Sequence, residues 1–391
     1  MFRRLAAAWM VTWIVSAWAL PAAAQAFRFP EARHGKGELR YVNGVPVLIL
    51  AGTPEEIGEQ MGVLALKPAR DAVAVYERFL ASQGLSDFRP LLARLGDSLL
   101  KKYPAEYRRE LDAAAKAGGV DRDLLVIGNT FHDIRKLHTC SAVMVAPEKS
   151  QTGGALIGRN LDYPLVRGMH QYSMVIVYQP VGKQPFAVVS FPGAPVTGAA
   201  MSGMNSAGLF IGQNDVDQAA DDSPPLVLQN TPTAVLARRV LEDCRTIEQA
   251  AALMQRNKPA GRSIFVMCDP TGGGVVESTP KTVVLRSGDN GFCAATNHFE
   301  SRQLSVGDAC QRMDRLVRAA GLEKLSVADT FRLLQSVSQH WWTAHSMVFE
   351  PQTLKLHLAI GDGVRPATAF PLRTVDLSPW LKPQPAADQG E

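Results

Sequence analysis

The hydrophobic period of this chain changes at Cys140, from a block of helical spacing to a run of short strands, and that change confines the fold. Ahead of it, apolar residues recur at helical spacing; behind it they fall in short runs between turn signals. Tyr41 and Val42 lead into Asn43-Gly44, a hairpin-turn pair, and a strand-like run follows from Val45 to Leu50. Thr53-Pro54-Glu55-Glu56 reads as a capped helix start, with helical spacing through Phe79. Further helices are expected over 87–102 and over 104–117, the latter stopped by Gly118-Gly119. Another begins near Asp121 and carries Leu124, Leu125, Ile127, Phe131 and Ile134. Beyond Cys140 strands are expected at Ser141–Ala146, Ala155–Asn160, Tyr172–Tyr178, Phe186–Phe191, Gly198–Ser202 and Gly208–Gly212. Two helices, Pro232–Cys244 and Thr246–Arg256, come next, with Thr246 and Gln249 spaced as a capping box. Strands return at Ser263–Cys268, Gly274–Glu277, Thr282–Arg286 and Phe292–Thr296. Helices over 309–319 and 326–338 precede a last pair, Ser346–Phe349 and Lys355–Ile360, and the Pro-rich end after Asp376 is expected to be loose. No internal repeat is visible. Helices and short strands in blocks predict layered sheets covered by helices, an α+β fold, rather than βαβ alternation.

The first 26 residues stand apart from this pattern. Arg3 and Arg4 precede an apolar run from Leu5 to Leu20 that ends in Ala22, Ala23 and Ala24, the pattern of a secretory signal peptide. The run falls short of the roughly 20 residues that a spanning helix needs, so export with cleavage after Ala24 or Ala26 is expected, with no stable membrane span. Lys and Arg number 41 against 37 Asp and Glu, with no cationic run, which argues against a nucleic-acid partner. Cysteines remain at 140, 244, 268, 293 and 310, an odd count that leaves one thiol unpaired if the others bridge. No C-x-x-C occurs.

Several familiar sites fail on spacing. There is no G-x-S-x-G elbow. Ser278-Thr279-Pro280-Lys281 matches S-x-x-K in letters, but it lies between strand-like runs with proline inside. His340 and His345, and His132 and His138, are not spaced for one helical face, so the histidines read as structural and no metal is expected. Thr271-Gly272-Gly273-Gly274 lacks a phosphate-loop lysine and reads as a hairpin turn.

One segment holds. Thr139-Cys140-Ser141-Ala142 is followed by Gly158-Arg159-Asn160-Leu161-Asp162 on the returning arm of a hairpin. That brings together a thiol, a guanidinium that favours thiolate, and a carboxylate that can orient an amine. Gly52-Thr53-Pro54-Glu55-Glu56-Ile57-Gly58, Ser202-Gly203-Met204-Asn205-Ser206-Ala207-Gly208-Leu209 running on to Gly212-Gln213-Asn214, and Ala295-Thr296-Asn297-His298 complete an ordered set. With these motifs the chain resembles the N-terminal-nucleophile (Ntn) hydrolases. It is most similar to the acyl-CoA:6-aminopenicillanate acyltransferase-like cysteine peptidases, and more distantly to acid ceramidase and the choloylglycine hydrolase/penicillin V acylase group.

The resemblance implies a four-layer αββα sandwich with an N-terminal helical pro-segment. The expected organisation is 1–26 signal peptide, 27–139 hairpin and helical pro-segment, 140–375 hydrolase core and 376–391 tail. It implies self-cleavage between Thr139 and Cys140, with the two fragments kept together. The freed α-amine, unlike an amide, is a base near working pH. Cys140 would then form an acyl-thioester, Asp162 orient the amine and Arg159 keep the thiol region electropositive. Asn214 and Asn297 would offer oxyanion or amine-anchoring donors. Arg312 carries over least securely, because the Ser-Ser expected before it is absent, and Arg315 is its rival. Asn205 reads as a turn residue and Asn160 as a hairpin cap. The implied substrate is a small linear N-acyl amide, without cofactor, and hydrolysis is favoured over transfer to an amine. A silent binding protein, or a chain that only cleaves itself, stand as alternatives. Cys293 and Cys310 flank Asn297, leaving a bridge there open beside free thiols.

Overall fold

A computed structural model describes residues 27–82, 84–134, 139–163, 168–192, 202–307 and 309–382. The signal-peptide reading, His138, and most of the strand expected at Gly198–Ser202 lie outside the described residues.

The chain opens with β1 (Ala32–His34), β2 (Gly37–Val42) and β3 (Val45–Gly52). Asn43 and Gly44 both take positive φ, as the turn between β2 and β3 requires. The helices α1 (Pro54–Met61), α2 (Ala72–Ser82), α3 (Arg89–Leu100), α4 (Ala105–Gly118) and α5 (Arg122–Ile134) follow. The Cys140 hairpin is β4 (Ser141–Val145) and β5 (Leu156–Asp162), succeeded by β6 (Met174–Pro180), β7 (Phe186–Ser190), β8 (Ser202–Asn205) and β9 (Phe210–Asn214). Then come α6 (Thr233–Asp243), α7 (Ile247–Arg256), β10 (Ser263–Asp269), β11 (Gly272–Ser278), β12 (Val283–Ser287) and β13 (Phe292–Ala295). The chain closes with α8 (Gln311–Val317), α9 (Val327–Ser336), β14 (Thr343–Glu350), β15 (Lys355–Ile360), β16 (Arg373–Asp376) and α10 (Ser378–Leu381).

Two sheets result, one of ten strands in the order β1-β2-β3-β6-β7-β8-β9-β10-β11-β12 and one of six in the order β13-β4-β5-β14-β15-β16. Alternation along the strands separates the layers. In β6, Met174, Ile176 and Tyr178 join a core with α1, α4, α6 and α7, while Val175 and Val177 face the second sheet. In β4, Ala142 and Met144 face between the sheets, and Val143 and Val145 pack with Leu316 of α8 and Leu334 of α9. Helices, two facing sheets and helices again make the expected αββα sandwich. The layers meet closely where β11 crosses β4: a Cβ built on Gly273 would stand 2.0 Å from Cβ of Met144. Gly273→Ala is therefore expected to cost about 1–3 kcal/mol through overpacking, and an unchanged Tm would refute the close contact.

Three expectations need correction. The helix read through Phe79 is interrupted by a π-turn at Gly62–Leu66 and by turns before α2. Pro68 lies in the gap and supplies no N–H for a helix bond. The segment before Cys140 is not only a hairpin and helices: its strands form one end of the ten-stranded sheet, and β3 pairs in parallel with β6. The end is not loose as far as Lys382, because Leu377 and Leu381 are fully buried between the sheets. All five cysteines are free thiols, so Cys293 and Cys310 are not bridged. Among the described residues, no helix is long and apolar enough to cross a membrane, and no metal-binding group of three His, Cys, Asp or Glu occurs.

Candidate active site

Cys140 immediately precedes β4, with its side chain wholly buried. The β4–β5 register sets Ser141 opposite Asn160 and Ala142 opposite Arg159, so the hairpin brings the arginine beside the thiol. Arg159 Nη2 donates to Cys140 Sγ at 3.4 Å and to the Gln213 carbonyl at 2.6 Å. Its Nε donates to Ser202 Oγ at 2.9 Å, and its Nη1 to Asn214 Oδ1. This fully buried guanidinium thus ties β5 to β8 and β9 across the sheet interface. Gly212 is part of that fit, since a Cβ there would stand 3.0 Å from three Arg159 side-chain atoms. Burial pushes the Cys140 thiol up to about 11, and the Arg159 charge pulls against it.

Asp162 ends β5. Its backbone carbonyl accepts from Thr139 N at 3.0 Å, and its Oδ1 accepts from Thr343 Oγ1 at 2.6 Å. Oδ2 is buried without a hydrogen-bond partner and lies 3.9 Å from Arg312 Nη1. Burial raises this carboxyl to about 7, against the Thr343 hydrogen bond and the charges of Arg312 and Arg159.

Arg312 reaches in from α8. Its Nη1 donates to the Thr139 carbonyl at 2.9 Å and the Cys140 carbonyl at 2.8 Å, while Nη2 donates to Asn297 Oδ1 at 2.9 Å. Arg315 turns away, donating to the Ser336 carbonyl at the surface. The structure therefore brings Cys140, Arg159, Asp162, Asn214, Asn297 and Arg312 together around the Thr139–Cys140 bond. The two asparagines do work the sequence did not suggest. Asn214 holds Arg159 and donates Nδ2 to the Thr296 carbonyl at 2.7 Å; Asn297 holds Arg312 and donates Nδ2 to the Asp215 carbonyl at 2.7 Å.

Asn205 stays outside the cluster. Its Oδ1 accepts from Ala207 N and Leu209 N, the turn role expected of it, while its Nδ2 caps carbonyls of Leu241 and Cys244. Asn160 does not cap the hairpin but donates to the Leu334 carbonyl on α9 at 2.9 Å. Thr343, Ser202 and Asp215 were missed. Ser202 and Asp215 border a recognised motif, whereas Thr343 arrives from a distant strand with no local signal.

The two-sheet sandwich thus gathers a thiol, two arginines and a carboxylate at one peptide bond. A comparison with protein families matches residues 149–362, more than half the chain, to acyl-coenzyme A:6-aminopenicillanic acid acyl-transferase, and the chain belongs to that family. The matched stretch begins after Cys140 and contains Arg159, Asp162, Asn214, Asn297 and Arg312. No curated protein matches the sequence. Among solved structures, a mutant conjugated bile acid hydrolase from Clostridium perfringens is 14% identical with a TM-score of 0.43, over 61% of this chain and 93% of that one. A Caenorhabditis elegans N-acylethanolamine-hydrolyzing acid amidase ortholog is 17% identical with a TM-score of 0.41, over 54% and 92%. Penicillin V acylase from Agrobacterium tumefaciens is 13% identical with a TM-score of 0.41, over 61% and 86%.

Proposed function

We propose that the chain is an exported, self-cleaving cysteine hydrolase that acts on linear N-acyl amides through an acyl-thioester on Cys140. The observation that carries this reading is the Arg312 guanidinium, which donates to the carbonyls on both sides of the Thr139–Cys140 junction. Cys140 is buried in the uncut chain, so the amide at hand for its sulfur is its own. Sulfur attacks the Thr139 carbonyl carbon, the Thr139 C–N bond breaks, and the Cys140 nitrogen takes up the proton the thiol gave. Arg312 donates to the oxygen that becomes anionic, the type of contact worth roughly 3–4 kcal/mol in acyl transfer. Water then hydrolyses the Thr139 thioester, leaving a free thiol and an α-amine. Asp162 Oδ2, which accepts no hydrogen bond and lies 3.9 Å from Arg312 Nη1, is the acceptor for that amine. In the second cycle the thiol attacks a substrate amide, the amine passes the proton to the leaving nitrogen, and water releases the acid. The basic, apolar and small-residue start of the chain supports export.

Asp162 gives this mechanism a pH signature. Its carboxyl, raised to about 7, would relay the thiol proton to the Cys140 nitrogen in its ionised form, which grows as the pH rises through that value. Self-cleavage of freshly refolded precursor is expected to slow by roughly tenfold per pH unit below 7. Asp162→Asn is expected to be slower throughout and to lose that step; a flat wild-type profile from pH 5 to 8 would exclude the role.

The family match supports a second reading, in which an amine rather than water takes the acyl group. Processed protein given an N-acyl glycine with and without hydroxylamine separates the two. Free acid formed without hydroxylamine supports hydrolysis, turnover only when hydroxylamine is present supports transfer, and no product under either condition removes the enzymatic reading.

A further inference from the structure

Hydrolysis of a thioester at this junction needs water inside the fold, since Cys140 and Asp162 are wholly buried. The helix-covered face of the six-stranded sheet offers a place for it. Strand alternation puts Ser141 of β4, Asn160 and Asp162 of β5 and Ser346 of β14 on one face. It is the face that carries Val143, Leu156 and Val348 against Leu316 of α8 and Leu334 of α9. Ser141 stands opposite Asn160 in the β4–β5 register, and Ser346 stands opposite Asn160 in the β5–β14 register. These three make a row across the strands, and Asp162 is the next residue of β5 on the same face. All four side chains are wholly buried. Asn160 Nδ2 donates to the Leu334 carbonyl at 2.9 Å. Asn160 Oδ1, Ser141 Oγ, Ser346 Oγ, Asp162 Oδ2 and the neighbouring Thr139 Oγ1, by contrast, have no hydrogen-bond partner among the described residues.

Polar atoms buried without partners are costly, and internal water, which makes about three hydrogen bonds to such groups, removes the cost. Cross-strand neighbours hold their Cβ atoms about 4.5–5.5 Å apart, a gap that one water bridges. The hydroxyls of Ser141 and Ser346 can donate to it, and Asn160 Oδ1 accepts from it. Beyond Asn160 the row is closed, since a Cβ on Gly158 would stand 2.6 Å from Thr330 Cγ2. In the other direction it leads to the junction: Asp162 Oδ2 lies 3.9 Å from Arg312 Nη1, which donates to the Thr139 carbonyl at 2.9 Å. We propose that Ser141, Asn160 and Ser346 form a water-binding site and position the water that hydrolyses the Thr139 thioester, with Asp162 Oδ2 as its base. This rests on the reading of Cys140 as the nucleophile of self-cleavage. The water oxygen attacks the Thr139 carbonyl carbon and gives one proton to Asp162. The C–S bond breaks and that proton passes to the departing sulfur, leaving the Thr139 acid and the Cys140 thiol.

Two measurements test this. In a crystal structure of the Cys140→Ala chain, ordered water is expected within hydrogen-bond distance of Ser141 Oγ, Asn160 Oδ1 and Ser346 Oγ; a dry row overturns the proposal. Freshly refolded wild type and a Ser141→Ala/Ser346→Ala chain are then followed by intact mass with and without hydroxylamine, which attacks a thioester without a bound water. In plain buffer the double variant is expected to cut at least about tenfold more slowly than wild type, because its water is no longer held in place. With hydroxylamine it is expected to cut near the wild-type rate, leaving the smaller fragment as its Thr139 hydroxamate. Loss of packing alone would slow both conditions alike. Equal rates in plain buffer overturn the role of the row, and so does a slow variant that hydroxylamine does not rescue, because its defect then lies before the thioester. A wild type that stays whole in both conditions sinks self-cleavage and the supply role with it, and the crystal structure then decides whether the row binds water.

Discussion

Cys140→Ala is expected to give one uncut chain, where wild type is expected to give two fragments, the larger starting at Cys140. Of the five thiols, Cys140 is the one at the Thr139–Cys140 bond, with Arg159 donating to its sulfur; Cys244, Cys268 and Cys293 are buried, and Cys310 sits at the start of α8 beside Thr296. Turnover is expected to fall roughly 10⁶-fold, the scale on which removal of a nucleophile acts in covalent acyl transfer. Intact mass reads the cleavage, and release of acid from an N-acyl glycine reads the turnover. A wild type that stays whole alongside the variant sinks self-cleavage, and a cut alanine variant would transfer the nucleophile elsewhere.

The second large effect falls on stability, at Arg238. Its guanidinium bonds both oxygens of Glu110, at 2.8 and 2.7 Å, and Glu242 Oε1 at 2.9 Å, with the Tyr107 ring 4.3 Å away. Lys183 and the Tyr107 hydroxyl complete the Glu242 contacts. Glu110 and Tyr107 belong to α4 and Arg238 and Glu242 to α6, so this buried cluster joins the segments on either side of the Thr139–Cys140 bond. Arg238→Ala leaves two buried carboxylates short of a cation and is expected to cost about 3–5 kcal/mol. Adding Glu110→Leu to Arg238→Met should recover much of that loss, because a missing pair costs less than a broken one. Thermal unfolding of the three chains decides; equal Tm values would show that the cluster is solvated.

The architecture was legible where local chemistry decides it. Asn43-Gly44 announced its hairpin, and Thr53 with Glu56 forms the expected reciprocal cap, Thr53 N donating to Glu56 Oε2 at 2.7 Å and Glu56 N to Thr53 Oγ1 at 3.3 Å. Gly58 in the same motif lets α1 lie against α4, since a Cβ there would stand 2.2 Å from the Glu110 carbonyl oxygen. Thr246 caps α7 as spaced, but Gln249 turns its side chain to Arg245 N instead of closing the box. The short edge strand β1 went unread because its three residues carry no alternation to detect. The parallel β3–β6 pairing went unread because the partners are remote in sequence, with the helical block and the Cys140 hairpin between them. The same distance hid Thr343 from Asp162. Arg312 was the weakest residue in sequence because its flanking motif is incomplete, yet it makes three hydrogen bonds at the junction. A guanidinium's reach from a helix cannot be read from its neighbours in sequence.

The parallel seam between β3 and β6 has a consequence for how the protein comes apart. Before scission, melting is a unimolecular event and its midpoint is indifferent to dilution. Once the backbone is cut between them, β3 and β6 belong to different molecules, and melting the sheet becomes a dissociation governed by mass action. The processed form should then melt at lower temperature as it is diluted, and its two chains, once parted, must find each other by collision before the ten-stranded sheet can close again. The proposed cut would thereby remove the route by which the sheet first formed.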